Sequence, residues 1–279
     1  MSVKFTKMHG LGNDFVIFNA ISQPINITSS IARKISNRHT GVGCDQLLIV
    51  EQSTRSDIDF NYRILNHDGS EVGQCGNGAR CLARYVHEQG LTNKQELTVK
   101  TITTELKLRV NSLDNITVDM GVPQFEPRAI PFAVSHRQAE YQFEVDNQMV
   151  NASVLAMGNP HCIQFIENIE SAPVNTQGPK IESSKLFPER TNACYAQVVD
   201  RSYIKARVYE RGVGETMACG SGACAIMVAA RQNAVVDQNV TVELLGGPLE
   251  LYWPGEGAQV EMTGPAVSVF ESELDLENL

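Results

Sequence analysis

The chain has 279 residues, 42% of them apolar, enough for one large domain or two of ordinary size around real cores. Its formal net charge is −9, and no Lys/Arg run is dense enough to follow a phosphate backbone, which argues against nucleic-acid binding. No stretch approaches the ~20 apolar residues of a spanning helix, and the start, MSVKFTKMHGLGND, lacks the apolar core of a secretory signal, so the expectation is a soluble, cytoplasmic protein with no membrane partner.

Short alternating or β-branched runs follow one another along the chain. They read as strands at residues 14–20, 46–52, 57–65, 96–101, 106–111, 115–121, 161–167, 195–200, 204–211, 240–253 and 258–270. Helical patterns are fewer. Residues 29–38 open on the capping residue Ser29 and place Ile31 and Ile35 four apart. Residues 79–90 carry Ala79, Leu82, Ala83 and Val86 on one face and stop at Gly90, a C′ glycine. Residues 222–233 are apolar nearly all round, as in a helix enclosed by other structure. Residues 171–190 read as a surface loop around a short helix. The class is α+β, strand-rich, with no low-complexity linker.

A faint repeat runs through these elements. Asn13 in LGNDFVIF and Asn159 in MGNPHCIQF lie 146 apart, as do Gln46 and Asn192; Cys75 in CGNGA and Cys219 in CGSGA lie 144 apart. Three markers in one order at near-constant offset point to two copies of one fold. Each C-G-x-G-A stands between a strand region and a helix, and a cleft between related halves is where a ligand would bind.

The chemistry of that motif is specific. Glycines permit unusual backbone angles and let a ligand approach the main chain. The first N–H groups of a helix lack intrahelical partners, and that end of the dipole is positive. Gly76 with Asn77, and Gly220 with Ser221, can therefore cradle a carboxylate, and the same field should lower the pKa of the adjoining thiol. Two such motifs aimed at one carboxylate would put thiols on both faces of the carbon that bears it. One thiolate would remove a proton and the other thiol return one, inverting the centre. Such chemistry needs no cofactor. There is no P-loop, no dinucleotide fingerprint, and no lysine in either motif to hold pyridoxal phosphate. The seven cysteines are odd in number, form no C-x-x-C, and lie at no zinc spacing from the six histidines, so neither a disulfide framework nor a metal site is expected. Cys81 and Cys224, within the helices, read as small buried hydrophobes, and Cys44, Cys162 and Cys194 as core or near-site filler.

Five segments together resemble the diaminopimelate epimerase family: FTKMHGLGNDFVIF, GQCGNGARCLARYV, AMGNPHCIQF, ERTNACYAQVV and YERGVGETMACGSGACA, in that order. The resemblance implies two similar pseudo-symmetric halves, each a curled β-sheet or barrel around a central helix, with the site in the cleft. It implies a last strand returning to the first half, which makes the halves 1–119 plus 265–279 and 120–264. It implies interconversion of LL- and meso-diaminopimelate without a cofactor, for lysine and peptidoglycan precursors, by a homodimer. Carried over residue by residue, Cys75 and Cys219 are the acid/base pair, and Gly76, Asn77, Gly220 and Ser221 the carboxylate cradles. Asn13, Gln46, Asn66, Asn159, Asn192, Glu210 and Arg211 bind the substrate's polar groups, with Arg211 the cation for the distal carboxylate. His161 and Glu210 assist catalysis; their first-half counterparts are Phe15 and Asn66, so these ionisable groups belong to the second half alone. Two positions depart from the family's pattern: Phe270 stands where a tyrosine often lies near the dimer contact, and Cys194 replaces a bulky or acidic residue, which would alter the edge of the cleft. Two other readings stay open. A proline or hydroxyproline racemase would give Arg211 and the Asn set no purpose. A thiol switch would use Cys75 and Cys219 as a reversible disulfide.

Overall fold

The computed structural model describes residues 2–146 and 148–276; the ends of the expected first half, Met1 and 277–279, lie outside them. The chain divides into two compact units, the first made of 1–118 and 264–279 and the second of 119–263. The first carries β1 (Ser2–Gly10), β2 (Asn13–Asn19), α1 (Ser29–Ser36), β3 (Gln46–Gln52), β4 (Phe60–Asn66), β5 (Glu71–Val72), α2 (Gly76–Glu88), β6 (Glu96–Lys100), β7 (Glu105–Ser112) and β8 (Asn115–Asp119). The second carries β9 (Tyr141–Val145), β10 (Gln148–Ala156), β11 (Pro160–Phe165), α3 (Val174–Glu182), β12 (Asn192–Asp200), β13 (Tyr203–Glu210), β14 (Gly214–Glu215), α4 (Gly220–Gln232), β15 (Asn239–Leu244), β16 (Gly247–Tyr252) and β17 (Glu261–Gly264). The last strand, β18 (Val267–Asp275), pairs antiparallel with β1.

The repeat in the sequence is a repeat of topology. In the first unit β1–β2 is antiparallel, β2–β3 parallel, β3–β4 antiparallel, β4–β6 parallel, and β6–β7–β8 antiparallel. In the second, β10–β11, β11–β12, β12–β13, β13–β15 and β15–β16–β17 follow the same alternation. The register agrees residue for residue at the markers: Phe15 stands opposite Gln46 and His161 opposite Asn192.

Each sheet wraps a central helix. Ten residues of α2 and ten of α4 are buried. Helix α4 lies against β10, β11, β12, β13, β15 and β16, and α2 against β1, β2, β3, β7 and β18. The small residues at the start of both helices permit this. Strands β2 and β3 are apolar on both faces because both are covered: Phe15 and Leu48 meet α2 at Gly78, while Val16, Phe18, Leu47 and Ile49 pack in a cluster with Ala32 and Ile35 of α1. Cys44 belongs to that cluster, and Cys162 to its equivalent beside α3.

Some boundaries differ from those expected. Helix α1 is capped by Thr28, whose hydroxyl accepts the Ile31 N–H at 3.3 Å, and it ends at Ser36. Strands β1, β9 and β10 have no counterpart among the predicted strands. Strand β1 interleaves Lys4, Lys7 and His9 with its buried residues, of which Thr6 is polar, and β9 has only three buried positions, so neither makes a strong apolar run. No helix among the described residues is long and apolar enough to cross a membrane.

Candidate active site

Cys75 and Cys219 are both N-cap residues of the central helices. The sulfur of Cys75 accepts the Gly78 N–H at 3.4 Å, while the Cys219 sulfur lies 3.7 Å from the Ser221 hydroxyl. Neither helix start uses positive φ at its glycines. The expectation of unusual backbone angles is thus corrected at Gly78 and Gly222: their service is room. A Cβ on Gly222 would lie 3.1 Å from Cys219 Sγ and 3.1 Å from Val208 Cγ2; on Gly78 it would lie 3.3 Å from Leu48 and Phe15.

Around Cys75 the first unit gathers amides. The thiol points to Asn13 Oδ1 at 3.9 Å, and Asn77 donates to the same oxygen at 3.2 Å. Asn13 Nδ2 donates to Asp45 at 2.9 Å, and the buried Arg80 donates to Asn77 Oδ1 at 2.9 Å. Asp14 sits behind, bridged to Arg38 through two bonds and to Lys7 at 2.6 Å. Burial pushes the Asp14 carboxyl up, but Arg38 and Lys7 outweigh that and hold it well below the usual carboxylate range. Gln46 and Asn66, opposite each other in β3 and β4, share a 2.9 Å bond; Gln46 Oε1 is buried without a partner. That oxygen is a ready acceptor for an ammonium. Among the described residues the hydroxyl of Tyr62, on the same face of β4, is likewise a buried side-chain atom without a partner.

The second unit has a different polar chain. The Arg211 N–H donates to Asn192 Oδ1 at 2.7 Å, Asn192 Nδ2 lies 3.5 Å from His161 Nδ1, and His161 Nε2 lies 3.0 Å from Asn159 Oδ1. Burial, with the charge of Arg211 adding to it, lowers the His161 pKa to about 3, so the ring is neutral at ordinary pH. A neutral ring that accepts at Nδ1 carries its proton on Nε2 and donates to Asn159. Cys194 is fully buried, with its sulfur 3.6 Å from His161 Nδ1. Glu210 accepts from Thr216 at 2.6 Å. Arg211 donates through its guanidinium to the Glu189 carbonyl at 2.8 Å, and its neighbour Gly212 to the buried Glu182, which Arg190 also pairs at 2.8 Å.

One expectation is overturned here. Burial pushes the Cys219 thiol well up, and the negative charge of Glu210 adds to it. The helix-start N–H of Gly222 pulls it down, but Cys219 is only 4% exposed and the lost hydration outweighs that pull. The thiols of Cys44 and Cys81 are likewise pushed up by burial, to about 11 and about 12, as suits inert core cysteines. Among the described residues no group of three or more His, Cys, Asp or Glu side chains is arranged to hold a metal ion.

The family model described as diaminopimelate epimerase matches residues 5–126 and 153–269. The chain belongs to the diaminopimelate epimerase family. It is 50% identical over 276 residues to the diaminopimelate epimerase of Azotobacter vinelandii, covering 99% of this chain and 100% of that one. It is 48% identical over 277 residues to that of Nitrosospira multiformis, with the same coverage. Among solved structures, a hydroxyproline epimerase from Agrobacterium vitis superposes with a TM-score of 0.70 at 12% identity, over 98% of this chain and 92% of that one. A PhzF-family phenazine biosynthesis protein from Bacillus anthracis gives 0.69 at 18%, over 99% of each. At such identities the structural likeness speaks for the two-domain epimerase fold alone.

The family's motifs thus fall on two connected sets of side chains, one per unit. Asn13, Cys75 and Asn77 are joined in the first, with Gln46 and Asn66; Asn159, His161, Asn192 and Arg211 are joined in the second, with Glu210, Cys219 and Ser221. Sequence reasoning passed over Asp45, Arg80, Tyr62 and Glu182, which hold or face these residues. Arg80 left a signal: it is a charge inside the otherwise apolar α2, and the repeat offset aligns it with Cys224 in α4.

Proposed function

We propose that this protein is a cofactor-independent diaminopimelate epimerase, an isomerase of lysine and peptidoglycan-precursor biosynthesis that interconverts the LL and meso forms. Cys75 and Cys219 are its acid/base pair. The observation that carries the reading is the duplicated thiol at the N-cap of each central helix, in a chain about half identical to curated epimerases of that name along their whole length.

In one direction the Cys219 thiolate takes the α-proton from one face while the Cys75 thiol delivers a proton to the other; the roles exchange in reverse. The N–H groups of Gly76, Asn77, Gly220 and Ser221 hold the α-carboxylate and meet the charge that develops as the proton leaves. Cys219 is a thiol in the free protein, so its proton must depart when substrate arrives. The substrate's α-ammonium favours that by bringing positive charge beside the sulfur. Gln46 Oε1, Asn13, Asn66, Asn159 and Asn192 suit the substrate's polar groups, Arg211 its distal carboxylate, and Glu210 an ammonium. The neutral His161 orients Asn159 rather than shuttling protons.

The functional unit takes both halves, 1–119 with 265–279 and 120–264. It works in the cytoplasm as a homodimer, for which the exposed Val267, Val269 and Phe270 of β18 offer an apolar surface. Incubating the reduced protein with LL-diaminopimelate and no pyridoxal phosphate should yield the meso form. An absence of conversion, with proline or hydroxyproline racemised instead, would overturn the substrate assignment.

A further inference from the structure

The side chains around Cys75 form a hydrogen-bonded line with a cation at one end and a carboxylate at the other. Arg80 donates to Asn77 Oδ1 at 2.9 Å, Asn77 Nδ2 to Asn13 Oδ1 at 3.2 Å, and Asn13 Nδ2 to Asp45 Oδ2 at 2.9 Å. An amide can bind either way round, but these two have no choice. A guanidinium only donates and a carboxylate only accepts, so the ends dictate which atom each asparagine turns to its neighbour. Arg80 is fully buried and also tied to the Pro265 carbonyl; Asp45 is held by Arg38 at 2.8 Å and receives the Asp14 N–H. Gly10 closes the arrangement, since a Cβ there would lie 3.1 Å from Arg80 Nη2.

We infer that Asp45 and Arg80 are positioning residues that lock Asn13 with its carbonyl oxygen toward Cys75, and so hold that cysteine as the protonated partner of the pair. The inference rests on the two-thiol reading above. An amide oxygen 3.9 Å from the sulfur accepts from a thiol and repels a thiolate. Had the amide turned over, its NH2 would donate to a thiolate and favour the opposite state. The second unit has no such line. At the repeat offsets Asp45, Asn77 and Arg80 become Thr191, Ser221 and Cys224, none of which fixes an amide by charge. This means of holding the proton is therefore built into one half only, and the two like thiols are controlled by different groups.

The other titratable groups around Cys75 are Tyr62 on β4 and Cys81 on α2, both neutral through burial. The charges behind Asn13 are Asp14, Arg38 and Lys7. The test must separate the amide's orientation from simple loss of charge at Asp45. The midpoint of Cys75 alkylation by iodoacetamide against pH, mapped by peptide mass spectrometry on the full chain without substrate, reads the thiol directly. Asp45→Ala and Asn77→Ser should each lower that midpoint by about one pH unit, and Asn13→Ala should do the same. In the Asn13→Ala background neither should move it further, because the atom through which they act is gone. Asp45 is half-exposed and Asn77→Ser installs the second unit's own residue, so a folding failure of one leaves the other. Midpoints that stay put, or that shift equally with and without Asn13, would overturn the inference. The readout involves no diaminopimelate: failure of the unsubstituted chain to epimerise it sinks the substrate assignment, while its conversion together with unmoved midpoints in the variants sinks the positioning role alone.

Discussion

Asn13 and Asn159 occupy the same place in two copies of one fold, 146 residues apart, each at the base of the strand that leads into its half of the chemistry. In the first unit the amide is anchored by its nitrogen, on Asp45, and turns its oxygen to Cys75 and Asn77. In the second it is anchored by its oxygen, on His161, which leaves its nitrogen to donate. A duplicated fold supplies matched geometry for two thiols. What it does not supply is a difference between them, and an epimerase needs one sulfur to begin as acid and the other as base. Charges supply it in one unit, through Arg80 and Asp45. In the other, burial and the carboxylate of Glu210 hold the Cys219 proton in place, so that sulfur becomes a base only once the substrate's ammonium stands beside it.

The comparison is sharpest at His161. Its folded-state pKa, about 3, lies below the ordinary histidine value of 6.5, so the unfolded chain takes up a proton in that window and the native one does not. The stabilisation is complete above pH 6.5 and falls away as pH drops toward 3, at about 1.4 kcal/mol per pH unit. Urea melts across this range should show that slope, and His161→Gln should flatten it. Phe15, its counterpart, confers no such dependence, so an unchanged slope in the variant would break the contrast.

Gly222→Ala comes next. A methyl there presses on Cys219 Sγ and Val208 together, and we expect a loss of about 1–3 kcal/mol with impaired turnover. Gly78→Ala, against softer contacts at 3.3 Å, should cost less; the reverse order in thermal melts would contradict the packing described. For Glu210→Gln we expect the rising limb of the pH–rate profile to move down by about one unit, because the charge that raises the Cys219 thiol is gone. A limb that does not move would remove Glu210 from the control of that thiol.

The smallest effect lies at the far ends of the two helices. Both close in a Schellman turn: Leu91 N–H bonds Val86 C=O at 2.9 Å and Val235 N–H bonds Ala230 C=O at 3.1 Å. The left-handed residue is Gly90 in α2 but Ala234, at φ 58°, in α4. Ala234→Gly should stabilise by a few tenths to about 1 kcal/mol, and Gly90→Ala should destabilise by about 1 kcal/mol. Denaturant midpoints moving the other way would mean the two turns are not equivalent.

Much of this was legible in the sequence because it depends on spacing. The duplicated C-G-x-G-A, the central apolar helix after Cys219 and the C′ glycine at position 90 all follow from local pattern. The polar wiring was not, since it depends on which side chains the sheet brings together. Asp45 looks like any turn acid until β2 and β3 pair in parallel and set it against Asn13. Arg80 looks like a surface charge until α2 is wrapped by strands. The Cys219 thiol was expected to be acidified by its helix, because a motif displays the dipole and not the depth of burial that overrides it.

The claim that two thiols divide one proton transfer is tested most directly in D2O. LL-diaminopimelate should give meso product carrying α-deuterium, while the unreacted LL form gains none at early times. Cys75→Ala and Cys219→Ala should each abolish conversion. Product that keeps its protium, or a single-cysteine variant that still epimerises, would contradict the account.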